Sequence, residues 1–138
     1  EAACGPVSSL QCTKMIEPLT VLLVDDNTSI RTVLRGTLQE EGYIVLAAGN
    51  GVDALDICRW SRQPIDLLLT DVDMPGMSGF DLAEHAMQLR PLMKVLFMSG
   101  GADNGALLRG SLRDVRDYLS KPFGQAALMH KVRVALGC

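Results

Sequence analysis

The amino-acid sequence predicts an α/β fold in which a five-stranded parallel sheet is flanked by five helices. Short apolar runs alternate with longer segments whose apolar residues recur at helical spacing, as expected of a parallel sheet covered on both faces. The run at 65–70 is almost entirely apolar, which is typical of a strand buried on both faces. With 138 residues, 48% of them hydrophobic, the chain is long enough for one domain with its own core.

Two regions are predicted along the chain. Residues 1–18 mix Gly, Pro, Ser and Gln without periodicity and are interpreted as a linker or disordered leader, whereas residues 19–138 form the ordered domain. The predicted strands are Thr20–Val24, Tyr43–Ala47, Ile65–Thr70, Lys94–Met98 and Asp117–Leu119. The predicted helices are Thr28–Glu41, Gly51–Trp60, Gly79–Leu89, Asn104–Arg109 and Gln125–Leu136.

Helical spacing and end signals define these helices. Gly42 follows the first helix as a stop signal, and Ser78 is a predicted N-cap of the third. Glycines flank the short fourth helix, which predicts a mobile region around it. The apolar residues at helical spacing are Ile30, Val33, Leu34 and Leu38 in the first helix, and Ala54, Leu55, Ile57 and Cys58 in the second. In the third helix they are Leu82, Ala83, Ala86 and Met87, which are all predicted to face inward. In the last helix they are Leu128, Val132, Ala135 and Leu136.

Right-handed crossovers leave few possible orders for such a sheet, and we expect the flavodoxin-like order 2-1-3-4-5. In this order the first and third strands are neighbours, and ligands bind beyond their carboxyl ends. Asp25 and Asp26 follow the first strand and Asp71 follows the third. The three carboxylates should therefore converge.

Four predicted strands in all are followed by a polar residue suited to phosphoryl chemistry. Besides the three aspartates, Ser99 follows the fourth strand and Lys121 follows the fifth. Carboxylate oxygens suit Mg²⁺, and a hydroxyl and an ammonium can bind phosphoryl oxygens. Without a metal the carboxylates repel each other, so the pKa of at least one should rise, and Lys121 should offset part of this repulsion.

Each of these residues also has a structural explanation when taken alone. The aspartate pair could cap a turn or helix, Ser99 could be a strand-end hydroxyl, and Lys121 could be a solvated surface lysine. The proline after Lys121 predicts a rigid turn, with a cis peptide as one form, that aims the lysine into the crevice. The coincidence of all of them at strand ends favours a site that binds magnesium and a phosphoryl group.

Four segments of the chain resemble the receiver domains of two-component response regulators. They are LLVDD at 22–26, DVDMPGMSG at 71–79, MSG at 98–100 and YLSKPF at 118–123. The resemblance covers about residues 19–136 and identifies 19–138 as a receiver domain. It implies a phosphorylation-dependent switch in phosphorelay signal transduction, not an enzyme in the usual sense, although it assists its own phosphotransfer and autodephosphorylation.

The resemblance also implies roles for the site residues. Asp71 would be the phosphoacceptor, which receives its phosphoryl group from a histidine of a histidine kinase or a phosphotransfer domain. Asp26 would bind Mg²⁺ directly, Asp25 largely through water, and Asp73 through its backbone carbonyl. Lys121 would bind the phosphoryl group.

The resemblance further implies that Ser99 is a switch hydroxyl and Tyr118 a switch aromatic, although a half-buried strand tyrosine is an alternative explanation for the latter. Phosphorylation would change the surface formed by the fourth helix, fifth strand and fifth helix for a partner to bind. The segment at 95–104 also resembles receivers appended to hybrid histidine kinases, which favours a receiver attached to a larger sensor protein.

Composition argues against several other classes. The net charge is −3 without a Lys/Arg run, so nucleic-acid binding by this domain is not expected. No apolar stretch reaches the roughly 18 residues of a membrane span, and no signal peptide is evident. The cysteines lack zinc spacing and suit free thiols in a reducing compartment. We expect a cytoplasmic domain without membrane contact, even if its parent protein is membrane-anchored.

Two alternatives to a phosphorylated receiver remain open at this point. The segment at 68–73 resembles the D-x-D strand of haloacid-dehalogenase-like phosphatases, although such enzymes usually carry it on their first strand. The other alternative is a pseudo-receiver, an interaction module that is not phosphorylated. The full set of aspartates, Ser99 and Lys121 argues against it.

Overall fold

The computed structural model describes residues 18–99, 118–121 and 123–137 of the chain. The strands are β1 (Thr20–Val24), β2 (Ile44–Ala48), β3 (Leu67–Asp71), β4 (Lys94–Ser99) and β5 (Tyr118–Ser120). The helices are α1 (Thr28–Glu40), α2 (Gly51–Trp60), α3 (Gly79–Leu89) and α4 (Gln125–Leu136). The predicted leader up to residue 17, the predicted helix over 104–109 with its flanking glycines, and Pro122 lie outside the described residues.

The strands form one parallel sheet of order β2-β1-β3-β4-β5, as predicted. The predicted ends of β3 and β4 were wrong by one residue, because Asp71 still pairs with Met98 of β4 and Ser99 still pairs with Ser120 of β5. The amide of Val72 still donates to the Met98 carbonyl at 2.9 Å. Asp71 and Ser99 are therefore the last residues of their strands and are held by sheet hydrogen bonds.

The sheet separates two apolar clusters, which explains the near-continuous apolar strands. Leu23, Leu69 and their neighbours pack under α1 and α4, whereas Leu22, Leu68 and their neighbours pack under α2 and α3. Alternate residues of a strand point to opposite faces, so β1, β2, β3 and β4 each contribute to both clusters.

The predicted inward side of α3 was wrong at one position. Met87 is 46% exposed, because α3 turns Gly79, Leu82, Ala83 and Ala86 toward the sheet and the next position lies around the side of the helix. Val33 of α1 is exposed in the same way, whereas Leu34 and Leu38 are buried. In α4, Met129 joins the predicted Leu128 and Val132 in the core.

Three helices begin at the edge of the sheet where the strands end, and each has a polar N-cap. The side chains of Asn27, Asn50 and Ser78 accept hydrogen bonds from backbone amides of the first turns of α1, α2 and α3. The N-cap predicted at Ser78 is thereby confirmed, with its hydroxyl 3.2 Å from the Asp81 amide. The caps at Asn27 and Ser78 fix the loops that follow β1 and β3, the two strands beside the aspartates.

Among the helices of the described ranges, none combines the length and apolar character that crossing a lipid bilayer requires.

Candidate functional site

Three aspartates meet at the carboxyl edge of the sheet and are called here the acidic cluster. They are Asp25, Asp26 and Asp71, and one carboxylate oxygen of each lies within 4.8 Å of the others. The pairing of Val24 with Thr70 places Asp25 beside Asp71, because the two strands are neighbours and run in parallel. Asp25 and Asp71 are buried, whereas Asp26 is exposed to solvent. The convergence predicted from the sheet order is therefore present.

Lys121 supplies positive charge to this cluster. Its Nζ atom lies 3.2 Å from Oδ2 of Asp25 and 3.4 Å from Oδ2 of Asp71. The lysine follows β5, and its backbone amide donates to the Ser99 carbonyl at 2.7 Å. This hydrogen bond continues the pairing of β4 with β5 and holds the base of the side chain at the site.

Burial raises the pKa of the Asp71 carboxyl above its usual value. Desolvation is the main cause, the negative charge of Asp25 adds to it, and the ammonium of Lys121 opposes it. The backbone amide of Asp73, 3.4 Å from Oδ1 of Asp71, also opposes the rise. The expectation that crowding of carboxylates raises the pKa of one of them agrees with this direction, although burial contributes more than the neighbouring charge.

The loop between β1 and α1 positions Asp25 through several hydrogen bonds. Its Oδ1 accepts from the Asn27 amide at 2.9 Å, and its own amide donates to the Ala48 carbonyl at 3.2 Å. Its carbonyl accepts from Nη1 of Arg31 at 2.6 Å. The sequence analysis did not identify Arg31, because it is a polar residue between apolar positions of α1 and lies outside the four segments that resemble receiver domains.

The loop between β3 and α3 closes tightly against Asp71. The amide of Gly79 donates to the Val72 carbonyl at 2.9 Å. A Cβ atom at Gly79 would collide with the backbone carbonyl of Asp71, so this position requires glycine. Gly76, within the same loop, has a φ of +82°. The loop therefore returns across the end of β3 and keeps Asp73 next to Asp71.

Ser99 and Tyr118 occupy the next two strands of the sheet. Ser99 is buried at the end of β4, one residue beyond the partner of Asp71 in the ladder. Tyr118 pairs with Phe97 at the start of β5. The switch roles of Ser99 and Tyr118 stay predictions, as does the surface that includes the predicted helix at 104–109.

The donor atoms of the acidic cluster fit a hard divalent cation. Three carboxylates offer oxygen ligands, as Mg²⁺ prefers, and the exposure of Asp26 leaves room for the waters that this ion keeps. The excess of negative charge in a partly buried pocket, with one lysine to offset it, also favours a bound cation.

Comparisons with known proteins all indicate the same family. The family model described as the response regulator receiver domain matches residues 21–133. The DNA-binding transcriptional regulator NtrC of Bradyrhizobium sp. (strain RP501 Parasponia) is 39% identical over 118 residues, which cover 85% of this chain and 24% of that protein. The transcriptional regulatory protein CreB of Escherichia coli (strain K12) is 34% identical over 117 residues, which cover 85% of this chain and 50% of that protein.

A shorter relative is covered almost completely. The response regulator receiver protein CpdR of Brucella abortus (strain 2308) is 35% identical over 118 residues, which cover 84% of this chain and 95% of that protein. The chain thus spans 24% of the length of NtrC and 50% of the length of CreB, but nearly all of the receiver protein CpdR.

Solved structures give the same result. A response regulator receiver protein from Sinorhizobium medicae WSM419 superposes with a TM-score of 0.79 at 27% identity, covering 89% of this chain and 98% of that one. A CheY-like receiver domain protein from Methanospirillum hungatei JF-1 gives 0.76 at 29% identity, covering 88% and 95%. Receiver domains act in two-component systems as phosphorylation-dependent switches with a phosphoacceptor site. On the match over 21–133 and these relatives, the chain belongs to the response regulator receiver domain family.

Proposed function

We propose that Asp71 is the phosphoacceptor of this domain and takes a phosphoryl group from a phosphohistidine of a sensor kinase or a phosphotransfer protein. The observation that carries the proposal is the position of its carboxylate, at the end of β3, inside the acidic cluster and 3.4 Å from the Lys121 ammonium. In the transfer an Asp71 oxygen bonds to phosphorus while the phosphorus–nitrogen bond of the donor breaks, and its electron pair stays on the imidazole.

The acidic cluster would hold Mg²⁺ for this reaction. Asp26 and Asp71 would bind it directly, Asp25 largely through water, and the backbone carbonyl of Asp73 would add another oxygen ligand. When bound, the ion supplies positive charge that offsets both the clustered carboxylates and the phosphoryl oxygens. The amide hydrogen bond from Asp73 to Asp71 supports this arrangement, because it keeps the Asp73 backbone beside the acceptor.

Lys121 and Ser99 would bind the oxygens of the transferred group. The ammonium of Lys121 already lies beside the acceptor carboxylate, where it opposes the rise in the pKa of Asp71 that burial causes and favours the ionised form that attacks phosphorus. Ser99 ends the neighbouring strand and is buried next to the acceptor position in the ladder. Its hydroxyl would donate to a phosphoryl oxygen. Phosphorylation brings the negative charge of that oxygen to the site.

When Asp71 is phosphorylated, Ser99 would move toward the phosphoryl group, and this movement would be transmitted to β5 and its neighbours. The hydrogen bond from the Lys121 amide to the Ser99 carbonyl, at 2.7 Å, joins the two strands at the site. We infer that phosphorylation shifts an existing equilibrium of the surface formed by the predicted helix at 104–109, β5 and α4, with Tyr118 turning inward. Autodephosphorylation would reset the switch.

The domain is proposed to be attached to a larger sensor protein. The resemblance of 95–104 to receivers of hybrid histidine kinases remains a prediction, since the relatives described above are transcriptional regulators and a receiver protein. The acceptor chemistry of Asp71 does not depend on which parent carries the domain.

Incubation with Mg²⁺ and acetyl phosphate tests the proposal. We expect one phosphoryl group per chain by intact-mass measurement, none after Asp71→Asn or in excess EDTA, and full labelling in the control Asp56→Asn on the exposed face of α2. Steady turnover of unrelated phosphate esters would instead indicate a phosphatase. An unlabelled parent chain would indicate a pseudo-receiver.

A further inference from the structure

The side chain of Arg31 closes the loop that carries the first two aspartates of the acidic cluster. Arg31 lies in the first turn of α1, where its amide donates to the Asn27 carbonyl at 2.9 Å. Its guanidinium Nη1 reaches back across six positions to the backbone carbonyl of Asp25, at 2.6 Å. A short charge-assisted hydrogen bond of this kind is stronger than one between neutral groups.

Gly49, just beyond the end of β2, provides the space for this guanidinium. A Cβ atom at Gly49 would lie 3.1 Å from Nη1 and 3.6 Å from Cζ of Arg31. Because glycine has no side chain, the guanidinium can lie against the backbone at this point. The arginine thereby spans the ends of β1 and β2, which are also joined by the hydrogen bond from the Asp25 amide to Ala48.

The contact uses the backbone of Asp25 and leaves its carboxylate to other partners. The two carboxylate oxygens accept from the Asn27 amide and from Lys121, at 2.9 Å and 3.2 Å. The guanidinium therefore fixes the peptide between Asp25 and Asp26 without occupying a ligand oxygen. Among the residues that the structure describes, Arg31 makes no ion pair with a carboxylate.

We propose that Arg31, held in place against Gly49, is a positioning residue for the magnesium site, because it sets the orientation of the turn from which Asp25 and Asp26 face Asp71. The inference rests on the proposed function of the acidic cluster. Residues that orient metal ligands in this way typically change metal affinity by 10- to 100-fold when they are lost.

Calorimetric titration of the full chain with Mg²⁺ tests the proposal without any phosphotransfer. Arg31→Met should weaken magnesium binding about 10-fold, whereas Arg31→Lys, which keeps a charged donor, should stay within about 3-fold of the parent chain. The matched control is Arg35→Met, which removes an exposed charge one turn further along α1 and should leave the affinity unchanged. Urea unfolding of each variant verifies that it is folded.

A second substitution tests the role of Gly49 independently. Gly49→Val should displace the guanidinium and weaken magnesium binding in the parent chain. In the Arg31→Met background the same valine should cause no further loss, because its effect passes through the arginine. Gly49→Val in the parent chain remains informative if Arg31→Met alone unfolds the chain, because it leaves Arg31 present.

Several results would overturn the proposal. Equal losses in Arg31→Met and Arg35→Met would mean that the effect is not specific to the contact between Arg31 and the Asp25 carbonyl, and additive losses from Gly49→Val and Arg31→Met would separate the glycine from the arginine. Unchanged affinity in Arg31→Met would refute the positioning role and leave the proposed function intact. If the parent chain itself bound no Mg²⁺, the proposed function would fail, and the inference would fail with it.

Discussion

The Nζ atom of Lys121 lies 3.4 Å from Oδ2 of Asp71, the carboxylate at the end of the central strand. The same ammonium lies 3.2 Å from Asp25, so one cation bridges two buried carboxylates of the acidic cluster. This cation and a bound divalent ion carry like charges and share the same carboxylates. Lys121 therefore stabilises the metal-free domain and at the same time opposes metal binding.

Substitution Lys121→Met should separate these two effects. Without Mg²⁺ the variant should lose about 1–3 kcal/mol of unfolding free energy, because two buried carboxylates lose their cation while the lysine itself was partly solvated. Its affinity for Mg²⁺ should rise, since a competing positive charge is gone. Urea unfolding in EDTA and calorimetry measure the two quantities. Lys94→Met, at the exposed start of β4, is the control, and weaker magnesium binding in Lys121→Met would contradict the account.

Asp71 should make stability depend on pH in a defined direction. The pKa of Asp71 is raised in the folded state, so its carboxyl contributes fully to the stability of the fold below the ordinary pKa of 3.8. This contribution to stability is lost as the pH rises through the folded-state pKa. Asp71→Asn removes this loss, so in EDTA the variant should gain stability over the parent across that window and keep a constant advantage above it. Urea unfolding from pH 3 to 8 tests this, and an advantage that shrank as the pH rose would contradict the pKa direction.

Gly79 should tolerate no larger residue. In Gly79→Ala the new methyl group would meet the Asp71 carbonyl, so we expect a loss of about 1–3 kcal/mol in stability together with weaker phosphorylation of Asp71. The control is Gly36→Ala in the interior of α1, where a Cβ meets nothing within 4 Å and should add about 1 kcal/mol through helix propensity. Thermal unfolding compares them, and equal effects of the two alanines would rule out the close approach at Gly79.

Arg90 should matter for stability but not for the site. It follows α3 and donates to the carbonyls of Cys58, Ser61 and Gln63 at 2.8, 2.7 and 3.0 Å, at the edge where the strands begin. Arg90→Met should therefore cost about 1–3 kcal/mol while leaving magnesium affinity unchanged. Arg59→Met, which loses only an exposed ion pair, should cost less than about 1 kcal/mol. A change in magnesium affinity in Arg90→Met would show that the two edges are coupled.

The sequence predicted the elements of the fold well because local signals defined them. Apolar patterns located β1, α2 and α3 at their observed bounds, with Ser78 as the predicted N-cap of α3, and crossover handedness left few sheet orders besides the flavodoxin-like one that is observed. The ends of β3 and β4 were placed one residue short because a polar residue such as Asp71 or Ser99 is normally a sign that a strand has ended. Here the sheet pairing continues through Asp71 toward β4 and through Ser99 toward β5.

The convergence of the three aspartates was predictable from the sequence, but the contacts that support them were not. Asp25, Asp26 and Asp71 follow apolar runs, so their convergence depends only on the strand order. The reach of Arg31 to the Asp25 carbonyl depends on a side-chain rotamer and on the space at Gly49, which belong to different segments of the chain. Periodicity carries no information about such contacts, and only the tertiary structure reveals them.

The identity of the phosphorylated residue is the central claim, and chemical trapping tests it most directly. The chain is incubated with Mg²⁺ and acetyl phosphate and reduced with borohydride, which converts an aspartyl phosphate to homoserine, and the modified position is then mapped by peptide mass spectrometry. We predict homoserine at position 71 alone, and none when Mg²⁺ is withheld. Homoserine at Asp25 or Asp26 with Asp71 unmodified, or no homoserine at any position, would contradict the account.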